Sequence, residues 1–231
     1  MGVGRVKVQF PWQEDKNQMT PWIRLIQPHS GAGKGFHFSP EIGEEVLVGH
    51  ESGNAEKPFV MGTHYNGGET SSYHTSGNDK KVIHTRSGTK IILNDAEGSV
   101  FIEDPSGNTY LMDGQGNINV NAPNDMTFTA GKNMNINVGQ NMTTSVGMNK
   151  SDTINLNHAE TVGAMKNLTV GTNFMTNVVG SLMEFVKGKR ETKANEVKEN
   201  SKRREIVSQE NNNIHSQKTF NNNSGENSKM H

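Results

Sequence analysis

Several stretches carry residue types that could do chemistry. Ser30 to Phe36 reads SGAGKGF. A phosphate-cradling loop needs Gly-x4-Gly-Lys followed by Ser or Thr, so that backbone amides surround the phosphate. Here Pro28 stands where the first Gly belongs and Gly35 follows Lys34, so the stretch reads as a flexible loop. His50-Glu51 begins as a zinc-protease helix does, but Asn54 occupies the place of the second His. Glu103, Asp104 and Asp113 could supply a carboxylate pair for hydrolysis, yet they lie in or beside turn sequences, where Asp serves the local backbone. The nine His are scattered without His-x-His spacing, and there is no Cys for a metal site, a thiol nucleophile or a disulfide. Asn141, Asn149, Asn167 and Asn222 fit Asn-x-Ser/Thr, a by-product of an Asn/Thr-rich repeat. The reading is a chain with no catalytic residue, metal or cofactor.

The elements behind these residues are more informative. Only 31% of the 231 residues are hydrophobic, against about 45–50% apolar, Gly included, for ordinary globular domains. One compact core is therefore not expected. Disorder fits no better, because the net charge is −1 and the apolar residues are regularly spaced. Near-neutral charge argues against a nucleic-acid binder relying on phosphate neutralisation. No apolar run approaches the ~18 residues of a membrane span, and no signal-peptide core is present, so stable membrane insertion is not expected.

Residues 1–66 read as a small barrel. Val6, Val8 and Phe10 alternate in one strand, PWIRLIQ forms a second, and Glu44 to Glu51 with Lys57 to Asn66 form a hairpin. Such strands with Gly-rich turns suggest an OB-fold. Residues 67–81 are a polar neck. Residues 82–130 alternate strands with turns about every ten residues.

Residues 131–186 repeat every eight. Val138, Val146, Ile154, Val162, Val170, Val178 and Val186 share one position; Gly131, Gly139, Gly147, Gly163 and Gly171 share the corner after it, with Asn155 the exception. Gly and Asn permit positive φ there, so each block reads as a short strand and a tight corner. Eight extended residues span ~26 Å, giving edges under ~9 Å in a closed triangle. Packed sheets already stand ~10 Å apart, so one chain coiled alone has no room for a core. Three chains wound together do, with one valine per block from each meeting on the axis. A single-chain solenoid with longer coils is the alternative. Lys150, His158 and Lys166 share the position of Met134, Met142 and Phe174, which suggests a partly buried corner.

GRVKVQFPWQ, then TPWIRLIQPHSGAGKGFHFSPEIGEEVLVGHESGNAEKPFVMGTHYNG, then HTRSGTKIILND resembles VgrG, the spike of type VI secretion systems, itself similar to contractile-phage tail spikes. The resemblance runs from Val3 to Val186. It implies an all-β chain: an OB-fold collar, then an intertwined homotrimeric β-prism needle that pierces a target envelope and carries effectors. It also implies assembly in the bacterial cytoplasm and export through the secretion apparatus. The family's hub, which seats on the Hcp tube and baseplate, has no counterpart here, so the chain reads as a fragment or half of a split spike. A central phage baseplate spike and an adhesin-like trimeric fibre are the rival readings, and few aromatic residues disfavour the second. Related phage tips hold an axial metal ion; no His triplet is offered here, and His215 is the least poor candidate.

Residues 187–231 are charged and Asn-rich. Ile206 and Ile214 remain eight apart, in register with Phe174 and Leu182. This reads as a degraded continuation of the prism to about Ile214, with a helical or adaptor segment as the alternative. The family's polarity puts this end at the tip, where a PAAR-type tip protein or an effector would dock, near Ile206, Ile214, His215 and Phe220.

Overall fold

Short runs of β-branched and apolar residues, cut by Gly and Asn, shape the first of two units, 1–143, in this computed structural model, which describes residues 4–223. Strands β1 (Arg5–Val6), β2 (Ile23–Leu25), β5 (Val46–His50) and β6 (Pro58–Thr63) form a mixed sheet in the order β1-β2-β6-β5. β2 and β6 run parallel; the other pairs are antiparallel. A small hairpin, β3 (Ser30–Gly31) and β4 (Lys34–Gly35), carries the SGAGKG turn. Ile23 and Val60 are the buried apolar centre. Gly49 is required by packing, since the Phe59 ring lies 2.8 Å from where a Cβ would be.

The strand expected through Phe10 is shorter. Pairing with β2 ends at Val6, and a 3-10 turn takes Pro11–Lys16. Pro11 has no N–H to extend the ladder and its fixed φ suits the first residue of a helical turn. Val8 is tied instead to buried Thr20: its N–H donates to Thr20 Oγ1 at 3.0 Å, and the Thr20 N–H donates to the Val8 carbonyl at 2.9 Å.

Residues 80–121 make a five-stranded antiparallel meander: β7 (Lys80–His84), β8 (Lys90–Asn94), β9 (Ser99–Glu103), β10 (Thr109–Met112) and β11 (Ile118–Asn121). Its hairpins turn on Gly88, Gly98, Gly107 and Gly116, all at positive φ, each preceding the returning strand. Two turns share one device. In DPSGN, Asp104 Oδ1 accepts from the Ser106 and Asn108 amides at 2.9 and 3.0 Å, and Oδ2 accepts from Asn108 Nδ2 at 2.8 Å. In DGQGN, Asp113 accepts from the Gln115 and Asn117 amides and from Asn117 Nδ2 in the same way.

These hydrogen bonds hold both carboxyls below the ordinary range, the Asn side chains first among the causes. A depressed pKa means stability that is present above the unfolded value and is lost as pH falls through the folded one. Acidification is therefore expected to loosen both turns together, below the ~3.9 of a free Asp. Amide NMR shifts of Ser106 and Asn108, reporting Asp104, and of Gln115 and Asn117, reporting Asp113, should each move with a midpoint under that value; a midpoint above it would contradict the arrangement.

From Met126 on, no backbone pairing exists within the chain among the described residues, and every residue from Pro123 to Asn223 is exposed. The second unit, 144–231, consists of this conformation throughout its described part. Bends recur at 131–132, 139–140, 147–148, 155–156, 163–164, 171–172, 179–180 and 187–188. They continue at Asn195, Lys202, 209–210 and 217–218.

Two expectations change here. None of the repeat's glycines takes a positive φ, and a Cβ on Gly131, Gly139, Gly147, Gly163 or Gly171 would meet nothing within 4 Å in this chain. The change of direction is spread over two bend residues, so neither needs the left-handed region. Second, the spacing shortens to seven between Asn195 and Lys202, and again to Gln209. Ile206 and Ile214 therefore fall two residues before the pre-bend Ser208 and Ser216, in register with Ile136 and Leu168 rather than with Phe174 and Leu182.

Candidate assembly interface

The bends divide each block into offsets, and side-chain exposure follows them. Val138, Val146, Ile154, Val162, Val170, Val178 and Val186 stand immediately before a bend and are 43–50% exposed. Apolar residues two and four positions earlier, such as Ile136, Leu168, Met142 and Phe174, are 56–74% exposed. Those at the remaining offsets, among them Met148, Leu156, Met183 and Phe185, are 80–99% exposed. In extended backbone, alternate side chains share a side. Each block thus has one side with a pre-bend residue and two flanking residues, and a second side left to solvent.

After Val186 the pre-bend residues become Ala194, Ser201, Ser208 and Ser216. The hydroxyls of Ser208 and Ser216 donate to the carbonyls of Asn211 and Thr219, closing their bends at 3.1 and 2.9 Å. Ile206 and Ile214 flank these serines. Phe220 lies two residues past the last bend, the place held by Phe174 and Met142. His215 falls on the alternate side from Ile214.

The flanking offsets also hold charges, which come in opposite pairs. Lys150 Nζ donates to Asp152 at 2.9 Å; Lys166 pairs with Glu160 across a bend; Arg190 reaches Glu184 at 3.3 Å and Arg204 reaches Glu199 at 3.3 Å. The hydrogen bond to Asp152 raises the Lys150 pKa, and Lys166, with a smaller effect of His158, lowers that of Glu160. Sequence reasoning singled out Lys150 and Lys166 but missed Arg190 and Arg204 and all four acids, Asp152, Glu160, Glu184 and Glu199. Their signal was present: an acid two residues after, or five to six before, each base.

The meander adds a second unpartnered surface. Ile91, Ile102, Tyr110 and Val120 lie directly across from one another, as do Ile92, Phe101 and Leu111 on the opposite face. An antiparallel sheet with one wet face alternates apolar and polar residues; this one is apolar on both. A hollow of about 370 Å³ on the first face is lined by Ile102, Tyr110, Val120 and Met126. Among the described residues, no group of three His, Asp or Glu side chains could hold a metal ion, and no helix is long and apolar enough to cross a membrane.

Residues 83–201 match the family described as the bacteriophage T4 gp5 C-terminal trimerisation domain, and residues 1–65 match the type VI secretion system/phage-baseplate injector OB domain. Among curated proteins, type VI secretion system spike protein VgrG2a of Pseudomonas aeruginosa is 38% identical over 85 residues, 36% of this chain and 10% of that protein. VgrG1b of the same organism, also named a spike protein, is 29% identical over 136 residues, 55% of this chain and 18% of that protein. Actin cross-linking toxin VgrG1 of Vibrio cholerae is 34% identical over 83 residues, 35% of this chain and 8% of that protein. The matched stretches thus span less than a fifth of the length of these relatives.

Proposed function

Because this chain belongs to the family of the bacteriophage T4 gp5 C-terminal trimerisation domain, we propose that it forms the collar and shaft of a homotrimeric spike in a contractile injection apparatus, of the type VI kind. The observation that carries this reading is the repeat itself. Residues 123–223 have no covered side chain and no backbone pairing as a single chain, yet they keep one graded apolar side through successive blocks. A segment that buries nothing alone gains its stability by association, and its folding is then inseparable from its concentration. Three copies would place the pre-bend valines on a common axis and pair every strand edge, leaving none open for aggregation.

The same arrangement accounts for the repeat's glycines. Each costs about 0.5–1 kcal/mol relative to Ala in regular structure, and within one chain neither φ nor space calls for them. Close approach of a second backbone supplies the reason.

The function is mechanical. A spike transmits axial force, and shearing an interchain ladder means breaking many hydrogen bonds together. Its side toward solvent is rich in Asn, Thr and Ser, with Met148, Leu156, Met183 and Phe185 as exposed apolar exceptions, and the excess of polar groups suits it to crossing an envelope without settling in lipid. No step of this role needs a catalytic residue. The spike would be assembled in the bacterial cytoplasm and leave the cell with the apparatus. The Hcp tube and baseplate would be engaged through hub sequences outside this chain. A PAAR-type tip protein or an effector would dock at the end bearing Ile206, Ile214, His215 and Phe220, one copy per trimer.

Light scattering on the purified chain and on a chain ending at Val186 tests both parts. Each is expected to give three times its chain mass, which for the full chain is 25.4 kDa. Only the full chain should co-purify with tip or effector proteins encoded beside its gene. A folded monomer at micromolar concentration would defeat the spike reading. Full retention of partners by the shorter chain would move docking away from 187–231.

A further inference from the structure

Between residues 131 and 186, seven large apolar side chains are 80% exposed or more, and four of them are Met148, Met165, Met175 and Met183. The other three, Leu156, Val179 and Phe185, are plain hydrocarbon. Much of the apolar surface on the solvent side is therefore thioether, a soft and polarizable group that peroxides oxidise. Access to the sulfur then decides which methionines react.

Access follows the offset. Met165 lies five residues before Val170, and Met175 and Met183 lie three before Val178 and Val186. In extended backbone an odd separation puts two side chains on opposite sides. Met148 is the second residue of the bend at 147–148 and is 90% exposed. Met134 and Met142 differ, since each stands four residues before a valine and so on the valine side. They are 61% and 67% exposed in the single chain, and the proposed trimer closes that side against two further copies. We propose that Met148, Met165, Met175 and Met183 are the sites at which peroxide modifies the repeat, and that the assembly tolerates their oxidation because Met134 and Met142 are spared. This rests on the trimer reading and goes beyond it by assigning a modification to the solvent side.

The step balances with hydrogen peroxide as the oxidant and needs no catalyst. A sulfur lone pair attacks one peroxide oxygen, an S–O bond forms and the O–O bond breaks. The other oxygen departs as water, taking the proton of the oxygen that stays. Sulfur loses two electrons and the peroxide gains them. The product sulfoxide is polar. On the solvent side its oxygen accepts from water, so no acceptor is left unsatisfied. Beside the valines the same oxygen would enter a dry contact without a donor, which is how sulfoxides disrupt methionine-rich interfaces. Oxidation at the four sites instead makes the outer side more polar, and a methionine sulfoxide reductase restores the thioether.

The test uses the full chain as purified. Light scattering gives its particle mass, hydrogen peroxide is added, and peptide mass spectrometry with fragmentation follows the sulfoxide fraction at each methionine. The four solvent-side methionines are expected to react at least about tenfold faster than Met134 and Met142. Once all four are converted, the particle should keep the mass of three chains and its melting temperature. In denaturant the six rates should converge; a difference that persists there would overturn the assignment to the fold. Equal rates in a particle that stays trimeric would overturn the proposal and leave the trimer standing. Loss of trimers while Met134 and Met142 are still reduced would overturn it as well. A monomer before any peroxide is added would overturn the trimer reading and this proposal with it.

Discussion

Val162→Asp is expected to release the octad segment from the assembly while the sheets of residues 5–121 persist. In the proposed trimer, Val162 stands before the bend at 163–164 and, by threefold symmetry, meets two copies of itself. The substitution therefore places three carboxylates together on a dry axis. Leaving a buried charge uncompensated costs roughly 3–5 kcal/mol, and here the cost falls on every chain at one level. Carboxylates so placed also resist ionisation together, so part of the loss should be recovered below about pH 4. Asn149→Asp, at a solvent-side offset, is the control and should change little. The check is thermal melting followed by circular dichroism, with scattering mass recorded in parallel. Equal melting of Val162→Asp and the unaltered chain would mean that the pre-bend residues do not meet on an axis.

Gly114→Ala should unfold the meander locally, and Gly116→Ala should not. Both glycines have positive φ, +75° and +93°, so either alanine incurs about 1–2 kcal/mol of left-handed strain. Their surroundings differ. A Cβ on Gly114 would lie 2.0 Å from the Glu97 carbonyl oxygen, whereas one on Gly116 meets nothing within 4 Å. The clash is with backbone, which cannot rotate away, and it adds about 1–3 kcal/mol of overpacking. The reason is topological. Successive hairpin turns of a meander alternate ends, so the turn at Gly98 and the one at Gly114 lie side by side, 3.9 Å apart at the site of a Gly98 Cβ. Hydrogen exchange at Asp113 and Asn117 should rise steeply in the first variant only. A similar rise in both would make strain, and not the neighbouring turn, the whole cause.

The strands of the first unit could be read from alternation because their apolar residues are β-branched and their turns carry Gly with Asp or Asn. Even so, β1 was over-extended. Val8 and Phe10 keep the alternating pattern, but Pro11 and the Thr20 hydroxyl take over the hydrogen bonding, and alternation is blind to who accepts an N–H. The octad series was legible because valine and glycine mark it twice. Beyond Gly188 the bends fall on Asn195, Lys202, Gln209 and Gln217. With no glycine to mark them, a spacing of seven cannot be told from one of eight, and Ile206 and Ile214 were assigned to the wrong offset. The glycines misled in another way. Their permissiveness suggested left-handed corners, yet positive φ appears instead in the hairpin turns at Gly88, Gly98, Gly107 and Gly116. The acids at Asp152 and Glu160 were overlooked because each is unremarkable alone. Only the bend positions show that they share a side with Lys150 and Lys166.

The regular return of the bends also bears on how such a gene can change. Deleting or duplicating one whole block, for instance eight codons beginning at a bend, leaves every other residue at its former offset. Loss of a single codon would exchange the apolar and solvent sides of everything downstream until a bend resets them. The two seven-residue intervals between Asn195 and Gln209 show such resets, and they fall where the pre-bend side chains have shrunk from valine to alanine and serine. Changes of length are thus expected to come in whole blocks through residues 131–186 and to be less constrained past Asn195, so the reach of the structure could change by whole increments without being redesigned.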